Sequence, residues 1–288
     1  MLPTFTICRP ESVAEACDLL AEYDGDAVAY AGGTELVVAM KLGLADYPVL
    51  VDLKGVPDLA GIAVADGTLR IGATATHQQI ERSPEVARVL PAFAAAERQV
   101  ANPRVRNSGT LGGNLAFGEP HSDPATFLVA VGARMSCRGP GGATRTVSAA
   151  DLLPEPFQTV LAPDELIVQI EVPLPPPGSA LAHQRFVLAE RPAVVASVLL
   201  TAADGVVTAA QVAVGAATPV PASLTEPAGL LLGAGVDAGD ELLRQVGVAT
   251  AETMLVASEG DEAYLRQLTS VLVRRATAEA LATLHARD

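Results

Sequence analysis

Two short glycine segments hold the residues best suited to chemistry in this sequence. The first is Ala29-Tyr30-Ala31-Gly32-Gly33-Thr34-Glu35-Leu36, where an apolar run meets a Gly-Gly turn and then a helical pattern. The second is Asn107-Ser108-Gly109-Thr110-Leu111-Gly112-Gly113-Asn114. Glycine lets the backbone turn tightly and lets a ligand approach its N–H groups. The N–H groups at a helix start have no intrahelical acceptor and attract anions. Thr110 adds a hydroxyl and Asn114 an amide. Two such turns suit a dinucleotide diphosphate better than a single phosphate. Neither fits G-x-x-x-x-G-K-[ST], which excludes a P-loop nucleotidase. Three glycines in five positions are expected in a turn, outside any helix or strand.

The charge balance sharpens this reading. The chain has 288 residues, with 19 Lys and Arg against 33 Asp and Glu, a formal charge of −14. Cationic side chains are scarce, so backbone N–H groups have to supply much of the positive potential around a bound anion. With no Trp, four Tyr and six Phe, the chain lacks the basic surface and the stacking platforms of a nucleic-acid binder. Half the residues are apolar and 18% are charged, which excludes long-range disorder. No apolar run reaches the roughly 18–20 residues that span a bilayer. The N-terminus shows no basic region followed by a long apolar stretch, so a cytoplasmic protein is expected. Cys8, Cys17 and Cys137 contain no C-x-x-C and suit a reducing compartment. They also fall short of the four ligands an iron–sulfur cluster takes. His77, His121, His183 and His285 show no metal-binding spacing, and no metal site is expected.

The elements that position the glycine segments follow from pattern. At ~150 residues per domain, the length suggests about two domains. Ser12-Val13-Ala14-Glu15 reads as a capping box opening a helix with Val13, Cys17 and Leu20 on one face. A buried strand over Ala27 to Ala31 leads into the first glycine turn, and the helix from Glu35 stops at Gly43. Val49 to Leu53 and Leu69 to Ala73 read as strands. Thr76 can cap a helix over His77 to Glu81, and Pro84 to Val100 is mostly helical. Ala125 to Ala133 is buried but of undetermined type. Leu166 to Val172 alternates as a half-buried strand. The run Pro173-Leu174-Pro175-Pro176-Pro177-Gly178 then marks a boundary, because it cannot pair in a sheet. Beyond it, two β-rich runs meet at Asp204-Gly205, a hairpin signal, and helices follow from about Asp240. The class is α+β.

These residues carry a resemblance. Ala31-Gly32-Gly33-Thr34-Glu35-Leu36 with Met40-Lys41 resembles the first FAD motif of the medium subunits of molybdenum hydroxylases, the family of carbon-monoxide dehydrogenase flavin subunits and the xanthine dehydrogenase FAD domain. The stretch Ala101-Asn102-Pro103-Arg104-Val105-Arg106-Asn107-Ser108-Gly109-Thr110-Leu111-Gly112-Gly113-Asn114 is similar to the second. Val51-Asp52-Leu53, Leu69-Arg70-Ile71-Gly72-Ala73, Asp123, Asp164-Glu165-Leu166-Ile167 and Glu171-Val172-Pro173 extend the similarity over nearly the whole chain.

The resemblance implies a two-part FAD-binding domain of the vanillyl-alcohol-oxidase (PCMH) type over 1–175. A smaller C-terminal domain with an antiparallel sheet and helices would occupy 178–288. It implies FAD as the cofactor. The partners would be a molybdopterin-binding large subunit and a 2Fe–2S small subunit, with NAD or a quinone as electron acceptor. By position, Ala29, Tyr30, Ala31, Gly32, Gly33, Thr34, Glu35, Leu36, Thr110, Gly113 and Asn114 would hold the diphosphate and nearby atoms. Val100 and Ala101 would line the adenine or ribityl path. Asp123 would accept hydrogen bonds from flavin-nucleotide hydroxyls, and Ile167 and Arg185 match two further contacts. The family commonly has lysine where Arg185 stands; a guanidinium keeps the charge but changes the geometry.

Competing signals are weaker. Gly233-Ala234-Gly235-Val236-Asp237-Ala238 fits G-x-G-x-x-[GA], but Asp237 would put a negative charge beside a pyrophosphate, and a loop between helices is the simpler reading. Two other functions fit the same scaffold. One is a free-standing FAD-dependent oxidase or reductase, and the other is a non-catalytic assembly subunit that has lost FAD.

Overall fold

The structure, a computed structural model, describes residues 2–188, 191–257 and 262–286. The chain divides into two compact units, Met1–Glu119 with Ala133–Val172, and Pro120–Gly132 with Pro173–Asp288.

In the first unit, β1 (Thr6–Cys8) is followed by α1 (Val13–Glu22), whose N-terminal Ser12 hydroxyl accepts the Glu15 N–H. The Glu15 carboxylate turns back to Glu11 N–H, one residue short of the expected capping box. Then come β2 (Ala27–Tyr30), α2 (Leu36–Leu42) and β3 (Val49–Asp52). The three strands form a parallel sheet ordered β1-β3-β2. The apolar face of α1, with Val13, Ala16, Cys17 and Leu20, packs against Val49 and Val51 of that sheet. Gly43 ends α2 in the left-handed region at φ 71°. Three-residue β1 is too short to leave a pattern in the sequence.

A five-stranded sheet, ordered β4-β5-β8-β6-β7, completes the unit. Its strands are β4 (Ile62–Ala65), β5 (Thr68–Gly72), β6 (Arg134–Arg138), β7 (Thr144–Ser148) and β8 (Leu166–Pro173). Between β5 and β6 lie α3 (His77–Glu81), α4 (Pro84–Val89), α5 (Pro91–Glu97), α6 (Pro103–Ser108) and α7 (Leu111–Phe117). The helical run from Pro84 is divided at Leu90, where φ −150° and ψ 62° leave the helix before Pro91.

Gly112 and Gly113 do not form the expected turn: both lie inside α7, whose N-terminal cap is Thr110. Tertiary packing overrides glycine's poor helix propensity: a Cβ on Gly112 would stand 2.6 Å from the Ala73 methyl group. The helix can lie against the end of β5 only without that side chain.

In the second unit, the segment of undetermined type is an α-helix, α8 (Asp123–Ala130), buried along its whole length. It packs with an antiparallel sheet ordered β12-β11-β10-β9, made of β9 (Ser179–Leu188), β10 (Arg191–Ala203), β11 (Val206–Gly215) and β12 (Ala222–Ser223). Asp204 at φ 50° and Gly205 at φ 71° form the tight β10–β11 turn that the sequence signals. Then follow α9 (Thr225–Gly229), α10 (Asp240–Thr253) and α11 (Glu262–His285). Val194, Ala196, Val198 and Leu200 of β10 alternate toward a core shared with Leu272, Val273, Ala276 and Ala280 of α11. No helix among the described residues is long and apolar enough to cross a membrane.

Candidate functional site

The first unit brings the two glycine segments into contact. A Cβ on Gly32 would lie 2.7 Å from the Gly109 Cα and clash with the Ser108 carbonyl. Only a backbone without side chains allows this approach. Gly33 takes φ +67°, and a Cβ there would strike the Tyr30 ring at 2.5 Å. Tyr30, at the end of β2, is fixed from another direction by Lys54, whose Nζ lies 3.9 Å from the ring centroid. Lys54 in turn pairs with Asp52 at 3.1 Å. Ala29, Ala31, Thr34, Glu35 and Leu36 are all half-buried around the turn.

The second segment is pinned from β5 and α3. Leu111 N–H donates to the Ala75 carbonyl, Gly112 N–H to Ala73 and His77 N–H to Gly109. The Thr110 hydroxyl accepts the Gly113 N–H at 3.1 Å. Apart from that hydroxyl, nothing stands within 4 Å of the position a Gly113 Cβ would take. So α7 has one glycine pressed into the protein and the next facing open space, next to half-buried Asn114. Val100 is buried, while Ala101 is exposed and held at φ 40°. The carbonyl of Val100 accepts Arg106 Nη1–H at 3.0 Å, and Arg106 Nε–H donates to Glu81 at 3.0 Å, so this turn is tied to α3 and α6. Ile167 lies buried in β8, opposite Cys137 of β6.

Two predicted residues meet in the second unit. Asp123 opens α8 and Arg185 lies on β9. Arg185 Nη1 stands 2.9 Å from Asp123 Oδ2, with the Asp123 side chain 5% exposed. This is a charge-assisted contact largely shielded from water. His121 lies two residues before Asp123, and burial lowers its pKa below the ordinary imidazole value, which disfavours the charged ring.

Residues 3–175 match the family described as FAD binding domain in molybdopterin dehydrogenase. The chain belongs to the FAD-binding medium subunits of the molybdenum hydroxylase family. It is 32% identical to the nicotine 6-hydroxylase medium subunit of Paenarthrobacter nicotinovorans over 281 residues, 97% of this chain and 98% of that one. It is 32% identical to the carbon monoxide dehydrogenase medium chain of Afipia carboxidovorans over 286 residues, 98% and 99% of the two chains. Among solved structures, a chain of the carbon monoxide dehydrogenase of Hydrogenophaga pseudoflava that lacks the Mo-pyranopterin moiety superposes with a TM-score of 0.93, at 30% identity over 98% of this chain and 99% of that one. The α+β fold is the PCMH-type FAD domain with its C-terminal domain, and the cofactor of this oxidoreductase subunit is FAD.

The residues present fit that cofactor. The two glycine segments meet with no side chain between them at Gly32, and the position of a Gly113 Cβ is open except for the Thr110 hydroxyl, which leaves backbone accessible to an anionic group. Gly233–Ala238, by contrast, lies in the loop between α9 and α10 and follows no strand, so the nicotinamide-dinucleotide reading fails there. Among the described residues, no group of three His, Cys, Asp or Glu could hold a metal.

A buried pair with no local signature in the sequence supports the junction. His77 Nδ1 stands 2.6 Å from Glu97 Oε2, with both side chains almost wholly buried. The Cδ2 edge of the same ring lies 3.2 Å from where a Gly109 Cβ would be. The ring thus backs the junction of the two glycine segments. A buried histidine and a buried glutamate 20 positions apart leave no local pattern. A helical count placing Glu97 on the same apolar face as Phe93 was the one available signal.

Proposed function

We propose that this chain takes electrons from a 2Fe–2S partner subunit and passes them from FAD to an external acceptor such as NAD or a quinone. Substrate oxidation would take place on a molybdopterin-binding large subunit, in the cytoplasm. The observation that carries the reading is the contact of Gly32 with Gly109, which joins the two glycine segments into one cradle.

In this proposal the segment from Ala29 to Leu36, with Thr110, Gly113 and Asn114, holds the FAD diphosphate through backbone N–H groups. Val100 and Ala101 line the path of the adenine or ribityl group. Asp123 accepts flavin-nucleotide hydroxyls, and Ile167 and Arg185 make further contacts. The FAD-binding domain is assigned to 1–175 and the C-terminal domain to 178–288. When bound, FAD supplies the redox chemistry, and the protein binds and orients it. Burial pushes the Cys17 and Cys137 thiols up to about 11, so both are protonated at neutral pH. Three cysteines fall short of the four ligands an iron–sulfur cluster takes, so the electrons would come from a partner.

The test is to reconstitute the chain with FAD and mix it with substrate, with and without the large and iron–sulfur subunits. Flavin bleaching only when both partners are present supports the proposal. Bleaching by substrate in the isolated chain overturns it in favour of a free-standing oxidase or reductase.

A further inference from the structure

A buried histidine of β9, His183, faces Asp123. His183 and Arg185 are two positions apart on β9 and so share a face of the strand. Arg185 meets Asp123 Oδ2. His183 Nε2 faces the other oxygen, Oδ1, at 3.7 Å, and its side chain is 3% exposed. Both of these facing atoms are sealed from solvent and neither has a hydrogen-bond partner. Across the sheet, Ser197 of β10 sits opposite His183, and its hydroxyl lies 2.8 Å from His183 Nδ1. The Phe127 ring of α8 closes another side, 5.8 Å from the imidazole centroid.

Counting donors and acceptors fixes the proton. Ser197 is fully buried, and among the described residues its hydroxyl meets only His183 Nδ1. If Nδ1 carried the hydrogen, the serine O–H would be a buried donor with no acceptor, which costs free energy. With Ser197 donating to Nδ1, the ring hydrogen sits on Nε2, on the side of Asp123 Oδ1.

We infer that His183, set in its Nε2–H tautomer by Ser197, is a positioning residue for Asp123. It faces the inner carboxylate oxygen and so holds the side chain in the orientation in which Oδ2 meets Arg185. This rests on the proposal that Asp123 belongs to the flavin site. The residue acts through Asp123 and touches no reacting atom.

The test is a double-mutant cycle on FAD binding by the full chain, followed by flavin fluorescence quenching. Asp123→Ala should weaken binding, and His183→Phe should raise the Kd about five- to tenfold. His183→Gln, which keeps a donor at the Nε2 position, should recover most of the affinity. In the Asp123→Ala background, His183→Phe should cost nothing further. Equal losses in both backgrounds, or no loss in the wild-type background, overturn the positioning role while leaving Asp123 in the site. An unchanged Kd for Asp123→Ala removes both claims. Imidazole 15N spectra of the unmodified chain give a readout independent of variant folding. A protonated Nε2 and bare Nδ1 at His183, assigned through His183→Gln, support the inference, and the opposite tautomer overturns it.

Discussion

Gly32 and Gly109 stand so close that a side chain on the former would lie 2.7 Å from the Cα of the latter. Both neighbours of that missing side chain are backbone, so neither can rotate away. Gly32→Ala should therefore cost about 1–3 kcal/mol of stability, as overpacking does, and should spread the two glycine segments apart. Thermal unfolding of the apoprotein and flavin content after reconstitution measure the two effects. A Gly32→Ala variant with wild-type melting and full flavin would show that the segments are not tightly joined.

Gly113 separates binding from folding. Its missing side chain meets only the Thr110 hydroxyl, at 2.8 Å, and otherwise open space. Gly113→Glu should leave the fold in place while a carboxylate occupies the anion approach and repels the diphosphate. The expected result is loss of bound flavin with an unchanged far-UV circular dichroism spectrum. Normal flavin content in the folded variant would move the diphosphate elsewhere.

How much of this was readable beforehand differs by element. The strand into Gly32, the helix stop at Gly43, the Thr76 cap and the Asp204-Gly205 turn were legible because each rests on a few adjacent residues. Placing Gly112 and Gly113 in a turn failed because local propensity argues against glycine in a helix, whereas the helix depends on contact with distant Ala73. The buried length of α8 shows the same limit from the other side. The stretch from Ala125 to Ala133 is apolar or small throughout and fits a strand as well as a helix, and packing against β10 and β11 decides between them. His77, Glu97 and His183 were inconspicuous because long-range pairing leaves no spacing to read.

The His77–Glu97 pair should matter for both stability and cofactor retention. His77→Ala would leave the fully buried Glu97 without its hydrogen bond at Oε2, while Oε1 already has none. A loss on the order of 3 kcal/mol or more is expected in urea unfolding. The cavity also lies beneath Gly109, so the FAD Kd should rise. Glu97→Gln keeps a group able to hydrogen-bond the ring and should cost less on both measures. If the two variants are equally mild, the pair contributes little to the cradle.

The three thiols should separate by reactivity. Cys17 and Cys137 are buried, and burial is the main cause that pushes each up to about 11. At pH 8 both are protonated as well as shielded. Cys8 is half-buried. Titration of the native chain with a chromogenic disulfide at pH 8 should release no more than one equivalent promptly, and three after denaturation. Prompt reaction of two or more thiols would mean that α1 or β6 opens readily.

Glu165 provides a pH-dependent clasp on the five-stranded sheet. Arg145 of β7 donates from Nε to one Glu165 oxygen at 2.7 Å and from Nη2 to the other at 2.6 Å. The Ala162 N–H adds a third hydrogen bond at 3.2 Å. The Arg145 hydrogen bonds lower the Glu165 pKa below its ordinary value of 4.5, outweighing the opposing effect of burial. A carboxyl with a lower pKa in the folded chain binds fewer protons there than when unfolded. Its contribution is therefore complete above the unfolded value and is lost as pH falls from 4.5 through the folded pKa. Arg145 is 45% exposed, so solvent screening keeps the contribution small. Glu165→Gln should melt below wild type at pH 7. The gap should stay constant down to about pH 5 and close at lower pH. A gap that persists unchanged at pH 3 would assign the stabilisation to shape and packing at this position, with no role for its charge.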